Sequence, residues 1–227
     1  MKAFIIHLSE MQLSVSLAND CLQAAKSRGY DASLVEGVNG FYADEKFQQY
    51  GITTFLNKTA KNSPGRRGCF LSHFELWKKC VELNEPILIL EHDGLIIRDL
   101  PNNVLDTFSD ILNLDPYRSD IGYDAKVKKS IDIQVSITHP VFKKTSLCGE
   151  CIIGAYGYII KPSGATKLID HAINVGILPT DKYIGTDIVD IKTTNVPAVR
   201  LHPFFASRSI KDNSSTKDLG KYLKEPK

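Results

Sequence analysis

Glu91, His92 and Asp93 follow directly on Ile87-Leu88-Ile89-Leu90, so the most apolar run of the chain closes on three groups that are costly to bury. In an extended strand, side chains alternate between faces, which predicts Glu91 and Asp93 on one side and His92 on the other. Two carboxylates so placed at the mouth of a sheet make a compact, oxygen-rich site. Hard divalent cations such as Mg²⁺ or Mn²⁺ favour such sites and share them with substrate phosphates and water. A cation there would neutralise charge on a departing diphosphate. Gly94, next in sequence, would leave space for the ligand. An acid-x-acid pair at a strand end also caps turns, so the spacing alone serves either purpose.

A carboxylate pair needs a sheet to hold it. Residues 3–8, AFIIHL, read as a short strand, 13–28 carry helical spacing up to a Gly-Tyr-Asp break, and ASLVEGVNG reads as a second strand entering a glycine-rich loop. That is a β-α-β unit with a parallel pair, and ligands of such sheets bind beyond the carboxyl ends of the strands. Residues 7–10 and 36–40 would lie there. Residues 68–84 form the clearest helix, with Cys69, Phe70, Leu76, Trp77, Cys80, Val81 and Leu83 on one arc and Ser72, Glu75, Lys78, Lys79 and Glu82 opposite. His73 falls inside the apolar arc and reads as a buried neutral histidine with one hydrogen-bond partner.

Further on, the pattern predicts a helix over 101–114, a turn at Asp115-Pro116, weak strands over 132–138 and a strand over 152–160. A helix should follow to Gly176, then a short one capped by Thr180 with Asp181 in its first turn, and a last extended segment over 195–206. Strands alternating with helices make this an α/β chain.

The bulk composition narrows the function. At 227 residues and 43% hydrophobic, the chain can bury one core, expected over 1–210, followed by a polar, lysine-rich tail over 211–227. Lys and Arg number 28 against 26 acids, too even a balance for a nucleic-acid binder. No segment approaches the roughly 20 apolar residues that span a bilayer, and the amino-terminal apolar run is too short for a signal peptide, which points to the cytoplasm. Five cysteines give no disulfide framework. The Cys148-x-x-Cys151 pair reads as buried or idle thiols.

The stretch GRRGCFLSHFELWKKCVELNEPILILEHDG resembles glycosyltransferase family 25, in which a G-C-x-x-S-H helix start and an L-W pair precede an aliphatic strand closing on Glu-Asp-Asp. Gly68, Cys69, Ser72, His73, Trp77, Glu91 and Asp93 stand at those positions. GAYGYIIKPSGATKL and LPTDKYI resemble two later blocks of the family, so the likeness runs in order to about residue 205. His92 departs from the pattern by replacing the middle aspartate.

The resemblance, nearest to the lipopolysaccharide branch, implies a GT-A-like single domain with a Rossmann-like mixed, mainly parallel sheet flanked by helices. It implies an inverting hexosyltransferase that moves galactose or glucose from a UDP-sugar to a lipopolysaccharide inner-core sugar, assisted by Mn²⁺ or Mg²⁺. Asp93, Glu91 and His202 would hold the metal. His7, Leu8, Glu36, Gly37, Asn39, Arg66, Glu91, His92 and Asp93 would bind the donor, with Arg67 beside Arg66 at the diphosphate. Asp181 is the first candidate for the general base, Asp187 the second and Glu150 the third. A lipid-linked acceptor implies transient contact with the inner membrane at its cytoplasmic face. The alternatives are a catalytically weak nucleotide-sugar-binding module, should His92 have replaced a needed group, and a metal-dependent phosphohydrolase, for which the chain lacks dense His/Asp clusters.

Overall fold

Core strands buried on both faces set the architecture of the computed structural model, which describes residues 1–116, 133–136, 150–152 and 154–206. In chain order the elements are β1 (Lys2–His7), α1 (Gln12–Lys26), β2 (Asp31–Glu36), a 3₁₀ turn (Gly40–Tyr42), α2 (Ala43–Gln49), α3 (Lys58–Asn62), α4 (Pro64–Leu83), β3 (Ile87–Glu91) and β4 (Gly94–Ile96). After a second 3₁₀ turn (Val104–Asp106) come β5 (Ile111–Asn113), β6 (Val135–Ser136), β7 (Gly157–Ile160), α5 (Pro162–Asn174), α6 (Thr180–Tyr183), β8 (Ile191–Thr194), β9 (Val199–Leu201) and α7 (Pro203–Ala206).

The main sheet has the order β2-β1-β3-β7-β5-β8-β6, and β4 pairs with β9 in a separate antiparallel ribbon. β2, β1, β3, β5 and β8 run one way, while β7 and β6 run against them. The expected mixed, mainly parallel sheet is therefore present, as one α/β domain. Phe4, Ile6, Ile87, Ile89, Tyr158 and Ile160 turn to the face covered by α4 and α5. Ala3, Ile5, Leu88, Leu90 and Ile159 turn to the face covered by α1 and the β4–β9 ribbon. This period-2 division puts Glu91 on the α4 side, in step with Ile87 and Ile89.

The helix α4 departs from a simple amphipathic stripe. Pro64 opens it, where a missing N–H costs nothing, and Asn84 closes it in the left-handed region at φ 50°. Between these ends Phe70, Leu71, Ser72, His73, Phe74, Leu76 and Trp77 are all buried, because α2, α3, α5 and the 3₁₀ turn at Gly40 surround what the sheet leaves open. Ser72, expected on the polar face, is buried and satisfied. Its hydroxyl accepts from Val38 N–H at 2.8 Å and donates to Gly68 O at 2.7 Å. Val81, expected on the apolar arc, is 39% exposed.

Three other expectations change. Thr180, expected to cap α6, is its first residue, and Pro179 holds the cap position. Residues 101–114 form the short 3₁₀ turn and β5 in place of a helix, and the strand predicted over 152–160 shortens to β7. The 211–227 tail and Cys148 lie outside the described residues. Cys21, Cys69, Cys80 and Cys151 are free thiols.

Gly40 allows the loop after β2 to lie against the start of α4, since a Cβ there would stand 1.6 Å from Pro64 O. Gly40→Ala is expected to destabilise the fold by about 1–3 kcal/mol. The effect should appear as a lower urea midpoint at unchanged m-value.

Candidate functional site

β3 ends on Glu91, and the register of the parallel strands sets Ile6 level with Glu91 and His7 level with Glu36. The carboxyl ends of three strands thus gather the acids and polar loops at one edge. Two side chains of α4 converge on a single oxygen of Glu91: His73 Nε2 lies 3.1 Å and Cys69 Sγ 3.3 Å from Oε1. Behind His73, its Nδ1 is 2.8 Å from the hydroxyl of Tyr158 on β7, and Trp77 Nε1 donates to that hydroxyl at 2.9 Å. Cys69 Sγ also meets Thr180 Oγ1 at 3.3 Å, which joins α6 to the cluster.

Burial opposes ionisation of Glu91, but hydrogen bonding from His73, aided by His92 and Cys69, holds its carboxyl below the usual carboxylate value. Burial, reinforced by the charge of Glu91, pushes the Cys69 thiol well above its usual value. Ligand atoms of Cys69, His73 and Glu91 lie within 4.8 Å of one another, close enough to share a cation.

Alternation stops at Glu91. His92 and Asp93 form a two-residue turn between β3 and β4, so their directions follow the turn and not the strand period that predicted them. The His92 carbonyl accepts from Cys21 Sγ at 3.2 Å, and the Asp93 carbonyl accepts from His202 N–H at 2.7 Å. Gly94 makes room for the protein's own backbone and not for a ligand, because a Cβ there would stand 2.0 Å from Tyr156 O.

Asp93 Oδ1 is buried with no hydrogen-bond partner among the described residues. Burial, together with repulsion from Glu91 and against the attraction of His92, pushes its carboxyl up to about 6. A buried carboxylate oxygen without a hydrogen-bond partner among the described residues suits a hard divalent cation, and Asp93, with Glu91 near enough for its charge to act on it, would hold one.

The same feature makes a stability prediction. The folded-state value of about 6 exceeds the ordinary 3.8, so ionising Asp93 costs native stability above pH 6, and that cost fades as pH falls towards 4. Asp93→Asn is expected to stabilise the metal-free protein by up to about 3 kcal/mol at pH 7.5 and negligibly near pH 4. Thermal unfolding at the two pH values measures the difference.

His202 turns its ring elsewhere. Its Nδ1 accepts from Phe204 N–H at 3.2 Å and its Nε2 lies 3.2 Å from Asp20 Oδ2, so only its backbone meets Asp93. The residues expected at the nucleotide do come together. Gly37 N–H donates to His7 O at 2.6 Å, Leu8 N–H to Ser14 Oγ at 3.0 Å, and Ser9 N–H to Glu36 Oε1 at 2.9 Å. Asn39 Nδ2 donates to Glu10 Oε1 at 2.5 Å. His7 Nδ1 is buried without a hydrogen-bond partner among the described residues.

Arg66 is exposed near the start of α4. Arg67 is committed to the fold, pairing with Asp44 and stacking over Phe47 and Phe55. Asp181 follows Thr180 in α6, close enough for its charge to act on Cys69. Asp187 is exposed in the connection to the amino end of β8, the end of the sheet opposite Glu91. Glu150 is tied through its backbone to Thr186, N–H to Oγ1 at 3.0 Å, in that same region.

Sequence reasoning did not join Cys69, His73, Trp77, Tyr158 and Thr180 to Glu91. The one usable signal was a histidine within the apolar arc of the helix preceding the acidic strand. Nothing local marked Tyr158.

The family model described as glycosyltransferase family 25 (LPS biosynthesis protein) matches residues 3–184. A glycosyltransferase 25 family member of Aedes aegypti is 27% identical over 164 residues, 69% of this chain and 26% of that protein. The lipooligosaccharide biosynthesis protein lex-1 of Haemophilus influenzae is 27% identical over 165 residues, 66% of this chain and 51% of that protein. The chain thus aligns with about a quarter and about half the length of these relatives. Among solved structures, CTP:phosphocholine cytidylyltransferase of Streptococcus pneumoniae aligns over 98% of this chain and 99% of its own, at 14% identity and a TM-score of 0.44.

Proposed function

Because the chain belongs to glycosyltransferase family 25, we propose that it transfers a hexose, galactose or glucose, from a UDP-sugar to an inner-core sugar of lipopolysaccharide with inversion at the anomeric carbon. The observation that carries this reading is the acid pair at the carboxyl end of β3, with Glu91 held ionised by α4 and Asp93 Oδ1 buried without a hydrogen-bond partner among the described residues, which suits a ligand-binding role. Bound Mn²⁺ or Mg²⁺ would supply Lewis-acid neutralisation of the diphosphate as it leaves. Asp93 and Glu91 are its proposed holders. His7, Leu8, Glu36, Gly37 and Asn39, gathered at the ends of β1 and β2, receive the nucleoside, while His92 and Arg66 flank the diphosphate.

In the transfer itself, an acceptor hydroxyl oxygen bonds to the anomeric carbon as the bond from that carbon to the diphosphate breaks on the opposite face. The hydroxyl proton passes to a carboxylate, and UDP departs. Asp181 is the proposed base, favoured over Asp187 and Glu150 because α6 is tied to the Glu91 cluster through Thr180 and Cys69. The work is assigned to the cytoplasmic face of the inner membrane, on a lipid-linked acceptor. Among the described residues no helix is long and apolar enough to cross a membrane, which suits a peripheral role.

The test is nucleotide release from a panel of UDP- and GDP-sugars with Mn²⁺, with and without a truncated lipopolysaccharide core. Release from one UDP-hexose, stopped by EDTA and accelerated by the acceptor, is the expected result. Tight UDP binding with no release under any acceptor would replace the enzyme with a binding module.

A further inference from the structure

Cys69, His73 and Glu91 have the donor types of a soft-metal site, yet the atoms behind them prescribe a different use. An indole N–H can only donate, so the Tyr158 hydroxyl is the acceptor for Trp77 Nε1 at 2.9 Å. The single proton of that hydroxyl then points to its other neighbour, His73 Nδ1, at 2.8 Å. A ring nitrogen that accepts carries no proton, which leaves the N–H of neutral His73 on Nε2, facing Glu91 Oε1 at 3.1 Å. For His73 to bind a cation through Nε2, its proton would have to move to Nδ1. The Tyr158 hydroxyl would then face two donors with its own proton stranded. Both side chains are fully buried, and Trp77 with them, so no water is at hand to accept it. On the other side of Glu91, Cys69 Sγ lies 3.3 Å from the same oxygen, and since an ionised carboxylate only accepts, the thiol is the donor.

We propose that Trp77 and Tyr158 are positioning residues that commit His73 to donating to Glu91. The Cys69–His73–Glu91 cluster is then a two-donor clamp on one carboxylate oxygen and not a thiolate–imidazole metal site. The clamp fixes the Glu91 carboxylate without spending its second oxygen, and it withdraws the only soft ligand atoms from the cluster. The cation taken by the acid pair is consequently a hard one, ligated by oxygen. Only this last step rests on the reading of Glu91 and Asp93 as the donor and cation site.

Nitrogen-15 NMR of the imidazoles in the full-length, metal-free protein tests the clamp, with the His73 signals assigned from His73→Gln. The expected pattern is a protonated Nε2 and an unprotonated, hydrogen-bonded Nδ1, with the Nδ1 hydrogen bond lost in Tyr158→Phe. Titration with Cd²⁺ should produce no thiolate-to-cadmium absorbance that depends on Cys69. His73→Gln, whose amide nitrogen can donate from about the place of Nε2, should keep Mn²⁺ affinity near that of the parent. His73→Leu and Tyr158→Phe should each lower it about 10-fold or more, as loss of a ligand's supporting partner does. An Nδ1-protonated ring, or a Cys69-dependent cadmium band, would overturn the clamp and make His73 and Cys69 ligands. The expected tautomer in a protein that turns over no nucleotide sugar would leave the clamp standing and sink the transferase reading instead.

Discussion

Asp93→Ala is expected to abolish cation-dependent binding of the UDP-sugar, lowering donor affinity in the presence of Mn²⁺ by about 100-fold or more, beyond what loss of a supporting partner alone produces. The expectation follows from what the fold leaves undone at this residue. Its backbone carbonyl accepts from His202 N–H, but Oδ1 is buried with no hydrogen-bond partner among the described residues. A carboxylate held in that condition is raised in pKa by its burial, so the native chain carries a cost that a bound cation would offset. The alanine variant removes the cost along with the ligand. It should therefore fold at least as well at neutral pH, and a loss of binding could not be ascribed to unfolding. Calorimetry with Mn²⁺ and the UDP-sugar measures it. Donor affinity equal to that of the parent chain would place the cation site elsewhere.

Asp181→Asn is expected to lower transfer by about 10²–10⁴-fold while leaving donor affinity unchanged. The amide matches the carboxylate in size and can still hydrogen-bond an acceptor hydroxyl, but it cannot take the proton. Asp181 stands in the first turn of α6, where a negative charge is favoured, and its neighbour Thr180 ties that turn to Cys69. The group is thus held in place by the same cluster that orients Glu91. Single-turnover transfer to a core acceptor, measured beside donor calorimetry, separates the two effects. Full transfer in the variant would move the base to another carboxylate, Asp187 or Glu150.

The parts of this molecule that were legible in the sequence are those that depend on local pattern. The β-α-β opening, the helix through Trp77 and the strand closing on Glu91 all announce themselves by periodicity and by breakers such as Asn84 and Pro86. So does the gathering of His7, Glu36 and Gly37, because parallel strands bring their carboxyl ends to one edge. Failures came where the partner was distant. Ser72 reads as polar surface until Val38, 34 residues earlier, is seen to need its hydroxyl. The strand β5 reads as helix because its apolar residues are short in number and its neighbours β7 and β8 come much later. Alternation carried the site too far by one turn: it assumes that a strand continues past Glu91, and the chain instead bends at His92 and Asp93. The clamp on Glu91 was illegible for the same reason, since Tyr158 is 85 residues from His73 and no spacing rule connects them.

The β4–β9 ribbon gives this site an order of assembly in time. Asp93 leads into β4, whose partner is β9, and the Asp93 carbonyl bonds to His202 just beyond it. On a ribosome adding about 5–20 residues each second, roughly 5–20 s separate the emergence of Asp93 from that of the strand that braces it. Through that interval the acid turn is displayed by a nascent chain without its brace, and a polypeptide halted before Val199 would carry both acids and the residues that hold Glu91 yet lack the strand that steadies Asp93.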